Sequence, residues 1–208
     1  MALNKLALKT ALLNLFNSMS SDADNATFAQ GLATALMNYV NSASVSTSDA
    51  GTIPAGVFAG SGSGNITCSM TGCKQKILDV CNAMNDEEEP KDNDYFAEGL
   101  GEAIEELADS AVIVTDVTGN TQVGSASVYT EGIARGSGLT ISTSDLVSKL
   151  KDCFSDMWNN RGADPNTGND DFATVLSDEV HKVFTTNGTV STSGILNLEG
   201  SSGSGKLS

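Results

Sequence analysis

Apolar residues return at helical spacing in two distinct stripes, and each stripe is met three times along the chain. Leu8, Leu12, Leu15, Phe16 and Met19 fall at i, i+4, i+7, i+8 and i+11, which is one face of an α-helix. The same spacing holds Cys73, Ile77, Val80, Cys81 and Met84, and then Leu146, Leu150, Cys153, Phe154 and Met157. The second stripe, at i, i+4, i+8 and i+11, runs through Phe28, Leu32, Leu36 and Tyr39, then Phe96, Leu100, Ile104 and Leu107, then Phe172, Leu176, Val180 and Val183. Two such stripes joined by a polar loop can bury against each other, so each pair predicts an αα-hairpin.

The segments around these helices repeat as well. "FAQGLATALMNYVNSASVST" (28–47) aligns without gaps to "FAEGLGEAIEELADSAVIVT" (96–115) with 8 identities in 20 positions, and "FATVLSDEVHKVFTTNGTVST" (172–192) follows with one inserted residue. The loops inside the hairpins lengthen from 8 to 11 to 14 residues and are acidic or turn-rich, which predicts surface tips. Thr71 and either Ser144 or Asp145 stand where helix N-caps are needed. A Thr-rich, β-branched segment follows each hairpin, and alternation in "NITCS", "VIVT" and "LTIST" predicts short strands. Each of these segments also carries Gly-Ser-Gly followed by an aliphatic residue: Gly62, Ser63, Gly64 with Ile66; Gly136, Ser137, Gly138 with Leu139; Gly203, Ser204, Gly205 with Leu207.

The expected fold class is therefore mainly α with short β segments (α+β). It consists of three tandem repeats of a helix-loop-helix hairpin followed by a short strand and a Gly/Ser/Thr-rich arm, spanning 1–67, 68–141 and 142–208. A two-helix unit has little core of its own, and Gly/Ser arms cannot build one. The twelve arm residues just named are thus the candidate partner-contact sites, laid as added strands or straps on other subunits.

Composition narrows the chemistry. The 208 residues carry a formal charge of -15 with 11 basic side chains, too few and too scattered to displace counterions from a nucleic-acid backbone. No apolar run reaches the roughly 20 residues of a spanning helix. "MALNKLALKTALLNLFNSM" reads as an amphipathic helix and not as a signal peptide, because Lys9, Thr10 and Asn14 interrupt it. The cysteine spacing (Cys68, Cys73, Cys81, Cys153) fits no zinc or redox pattern, and three of the four occupy core positions of a helix stripe, so buried free thiols are expected.

The remaining chemical motifs fail on spacing. "EGSSGSGKLS" places Gly200 and Gly205-Lys206 like a phosphate-binding loop, but Leu207 stands where the metal-ligating hydroxyl is required. His181, the single histidine, lacks a second His or Cys partner and reads as a helix-surface residue. Asp164, Asn166 and Asp170 imitate a calcium loop without its Gly and Glu positions, and Asp86, Glu87, Glu88, Glu89, Asp92 and Asp94 read as a solvated acidic tip. No catalytic, cofactor-binding or metal-ligating residue is assigned, and no enzyme activity is expected.

"LKTALLNLFNSM", "FAQGLATALMNYVNSASVST" and the closing "GSGKLS" resemble short proteins of unassigned function encoded among the structural genes of tailed bacteriophages. The resemblance implies a virion component: a non-enzymatic structural subunit of the tail, baseplate or neck, or a head decoration, contacting other virion proteins in several copies of a symmetric assembly. The alternative is an acidic host- or ligand-binding surface module, assisted by calcium. A third reading is an acidic scaffold or chaperone-like adaptor.

Overall fold

The computed structural model describes residues 3–19, 24–53, 56–86, 88–89, 91–159, 165–196 and 199–207. Helices α1 (Lys5–Ser18) and α2 (Asn25–Asn41) lead into strands β1 (Ser44–Ile53) and β2 (Gly56–Thr67). Helices α3 (Thr71–Met84) and α4 (Asn93–Asp109) lead into β3 (Val112–Val123) and β4 (Ala126–Ser137). Helices α5 (Ser144–Asn159) and α6 (Pro165–Lys182), with a π-helical turn at Val183–Asn187, lead into β5 (Val190–Leu196) and β6 (Glu199–Leu207).

Helix starts follow local hydrogen-bond chemistry. Asn4, Asp24 and Asp92 accept from the backbone N–H groups of Ala7, Thr27 and Tyr95, satisfying otherwise orphaned donors of the first turn. At α3 the expected Thr71 cap is replaced: the Thr71 amide donates to the Ser69 hydroxyl at 3.4 Å, and Thr71 is already helical. At α5 neither Ser144 nor Asp145 precedes the helix. The Thr143 carbonyl accepts from the Val147 amide, while the Thr143 hydroxyl reaches across to Glu105 at 2.5 Å.

The helices close into a ring, because α1 packs on α6 as well as on α2, and each other helix packs on its two sequence neighbours. Most of the predicted stripes line the ring interior. Leu8, Leu12, Leu32, Leu36, Cys73, Ile77, Leu100, Ile104, Leu107, Leu146, Leu150, Leu176 and Val180 are all buried in one continuous hydrophobic cluster. Burying a Leu or Ile side chain contributes roughly 1.5–3 kcal/mol, so this cluster dominates the stability. Gly99 lets α4 approach α3 closely, since a Cβ there would meet Val80 Cγ1 at 3.0 Å. Five aromatic rings, Phe16, Phe28, Phe96, Phe154 and Phe172, form a closed circuit with centroids 4.9 to 6.4 Å apart. Exposed ion pairs such as Lys5–Asp178, Lys9–Asp170, Lys151–Glu98 and Lys182–Asp145 staple neighbouring helices at the surface, each worth little.

The strands overturn the expected fold class. All six are antiparallel and hydrogen-bonded in the order β1-β2-β3-β4-β5-β6, and β6 pairs back onto β1 to close a barrel. Val45 pairs with Leu207 and Ala50 with Ser202 at that closure. The chain is therefore not a row of tandem helical hairpins trailing short strands and free arms. It is a ring of six helices seated on one end of a single six-stranded sheet.

The Gly-Ser-Gly segments are strand and strand-end residues, and the narrowness of the barrel accounts for their composition. An eight-stranded barrel is just wide enough for side chains to fill its interior, so six strands leave less room still. Burial alternates along β2, with Gly62 buried, Ser63 exposed and Gly64 half-buried. A Cβ on Gly64 would strike the Val114 carbonyl oxygen and meet Thr115 Cα at 2.6 Å. Glycine is thus the inward residue and serine the outward one. Gly136 and Ser137 end β4, and Gly138 takes a positive φ of 72° that turns the chain toward α5. Gly203, Ser204 and Gly205 lie within β6, paired on both sides by β5 and β1.

Candidate functional site

The structure disperses most sequence-level candidates into structural roles. The twelve proposed arm residues do not form docking straps. Ile66 and Leu139 are buried in the main hydrophobic cluster, Gly62, Gly64 and Gly136 lie in paired strands, and Ser63 and Ser137 are exposed on the barrel exterior. The backbones of Gly203, Ser204, Gly205 and Leu207 are committed to the barrel's closing strand. That strand also excludes the phosphate-loop reading, since Gly200 to Lys206 is extended backbone and not a loop entering a helix.

All four cysteines are free and buried. Burial pushes the Cys73 thiol up to about 12, with the Glu106 carboxylate adding to it, and pushes Cys68 up to about 11. Cys153 is also raised to about 11, first by burial and then by Asp171 and Asp156. Such thiols are poor nucleophiles and poor metal ligands. His181 is half-buried rather than a plain surface residue. Its Nδ1 lies 2.6 Å from the Tyr39 hydroxyl, which links α2 to α6, and burial holds the Tyr39 phenol well above its ordinary range.

Several of the candidate acidic residues have partners of their own. Asp170 lies inside α6 and pairs with Lys9, Asp86 accepts from the Glu88 amide in a turn, and Asp94 pairs with Lys151. Asp164 and Glu87 lie outside the described residues, as do the side-chain surroundings of Asn166. Among the described residues, no group of three or more His, Cys, Asp or Glu side chains converges to hold a metal, and no helix is long and apolar enough to cross a membrane.

Three features missed in the sequence stand out instead. First, the barrel lumen is layered. Val45, Ile66, Ile113 and Val190 close it toward the helices, and Phe58, Val117 and Ala134 form a separate apolar plug nearer the hairpin end. Between them lie buried polar residues, Thr47, Asp49, Thr115 and Thr192. The Thr47 hydroxyl donates to Asp49 Oδ2 at 2.6 Å. The signal was present in "SVSTSD", where Val45, Thr47 and Asp49 share one face of a strand at period two.

Second, the hairpin end of β2, β3 and β4 carries exposed apolar side chains: Val57 (59%), Val123 (39%), Val128 (50%) and Tyr129 (63%). Third, at the opposite pole, beyond the aromatic circuit, a groove of about 380 Å³ is lined by Met84, Asn93, Phe96, Phe154, Met157 and Trp158. Trp158, the single tryptophan, is 60% exposed there. Clustered apolar exposure at both ends of a molecule with so acidic a surface is a mark of interaction surfaces.

These arrangements can bind and brace. They do not align a nucleophile, a base and an oxyanion site among the described residues. No family model, no curated protein and no solved structure matches the chain.

Proposed function

We propose that the chain is a non-enzymatic structural subunit of a multiprotein particle, a tailed-phage virion, and that it contacts its neighbours through its two poles and not through free arms. The observation that carries this reading is the apolar hairpin end, where Val57, Val123, Val128 and Tyr129 stand exposed together on neighbouring strands. The sequence resemblance to products of phage structural genes supplies the kind of particle. The rest of the fold suits a passive role: the thiols are buried and the histidine is tied to Tyr39.

Mass spectrometry of gradient-purified virions tests the proposal. The chain should be present in finished particles in a fixed ratio to the other structural proteins, whereas presence only in lysates or precursor particles would point to the scaffold reading. A Val128→Asp/Tyr129→Asp double variant should fold normally yet be depleted from particles. Incorporation at the wild-type level would reject the hairpin end as the contact. The calcium-assisted module gains no support from the acidic residues, which cap helices or hold lysines.

A further inference from the structure

Asp49 is the only charged residue buried among the described residues, at 3% exposure, and it sits midway along the barrel lumen. Its Oδ2 accepts from Thr47, but its Oδ1 meets no hydrogen-bonding group of the described chain. Neither does Oγ1 of Thr115, which is fully buried. The three side chains converge on one point: a Cβ built on Gly62 would touch Thr47 Oγ1, lie 3.0 Å from Asp49 Oδ2 and lie 3.2 Å from Thr115 Oγ1. Thr192, also buried, stands across Gly203 of β6 from Asp49 in register.

A carboxylate taken out of water is costly unless a positive charge and hydrogen bonds meet it. Among the described side chains the strands supply no such charge inside. Arg135, the basic residue of β4, is exposed. Apolar layers seal the polar middle from both ends. Hydroxyl and carboxylate oxygens are the ligands that hard cations select. One carboxylate balances one positive charge, so a divalent ion would leave the lumen with an excess charge of its own.

We propose that the lumen is a binding site for a single small monovalent cation of the sodium class, held by Asp49, Thr115 and Thr47, and enclosed as the barrel closes. The Thr47 proton is committed to Asp49, which leaves its oxygen lone pairs for the ion. Glycine at position 62 is then required for space as well as for strand packing.

The test is to refold the protein from denaturant into sodium chloride or into N-methylglucamine chloride at equal ionic strength and to follow thermal unfolding. Sodium should raise the Tm by roughly 3–6 °C at about ten times its dissociation constant, with a logarithmic dependence on its concentration. Asp49→Asn, which keeps the shape and removes the charge, should melt cooperatively at a Tm that no longer distinguishes the two salts. Equal Tm values for the wild type in both salts would overturn the proposal, as would a full sodium shift in Asp49→Asn. Should Asp49→Asn fail to fold, Thr115→Val keeps the charge and loses one ligand. Its sodium shift should fall to less than half that of the wild type, and an unchanged shift would equally overturn the site.

Discussion

Replacing Gly64 with alanine tests the idea that the width of a six-stranded barrel, and not flexibility, dictates its glycines. The added methyl would strike the Val114 carbonyl oxygen and approach the Val114 carbonyl carbon to 2.8 Å and Thr115 Cα to 2.6 Å. These are backbone atoms of the paired strand, so no rotamer change relieves the clash, and β2 must move away from β3. Overpacking of this kind costs about 3 kcal/mol, the upper part of its usual range. Alanine restricts the unfolded chain and returns about 0.7 kcal/mol of that. The net loss of about 2.3 kcal/mol corresponds to a Tm about 5–9 °C lower for a chain of this length. Circular dichroism melts of Gly64→Ala against Ser63→Ala measure it, because Ser63 is exposed on the next position of the same strand. Should the two variants melt within about 1 °C of each other, the lumen is wider than the glycine pattern requires and the reasoning fails.

Further outcomes follow from the same geometry. Deleting 200–208 removes the strand that joins β5 to β1, so two unpaired edges should drive loss of the cooperative melt or soluble aggregates on size-exclusion chromatography. A surviving monomeric, cooperative fold would contradict closure. Tyr39→Phe leaves His181 Nδ1 without its partner and should cost about 1 kcal/mol, seen as a Tm about 2–4 °C lower. Burial raises the folded-state pKa of Cys73 to about 12 and those of Cys68 and Cys153 to about 11, above the ordinary thiol value of 9.0. Their contribution is therefore fully present below about pH 9 and is lost as pH rises toward about 12, so urea midpoints should fall across that window. Consistent with this, iodoacetamide at pH 8 should label the folded protein far more slowly than the unfolded chain.

The helices were legible because their chemistry is conventional. Leu, Ile, Val and Phe at helical spacing mark a face that is buried almost as predicted, and cysteine substitutes for Leu or Phe there without changing the register. Cys81 even occupies the stripe position held by Phe16 and Phe154, which leaves the aromatic circuit with five rings. The barrel was hidden for the opposite reason. Strand signals depend on large apolar residues alternating with polar ones, and a lumen this narrow replaces the large residues with Gly, Thr and Ala. "GSGSG" is an alternating strand written in the smallest residues, with the side-chain contrast removed. Asp49 was masked by the same effect: its period-two placement after Val45 and Thr47 puts it on the inward face, but the small polar residues around it in "STSDAG" also suit a turn. The groove around Trp158 needed α3, α4 and α5 to meet at one corner, which no local pattern encodes.

The pairing of residue 45 with residue 207 has a kinetic consequence. β1 waits for β6, and α1 likewise waits for α6, so the helix ring cannot close before α6 has left the ribosome, nor the sheet before β6 has. Contacts so distant in sequence make for slow folding. During synthesis the early hairpins expose unpaired edges and half-covered apolar faces, and a nascent chain stalled before β6 would be the form most prone to join a neighbour's barrel.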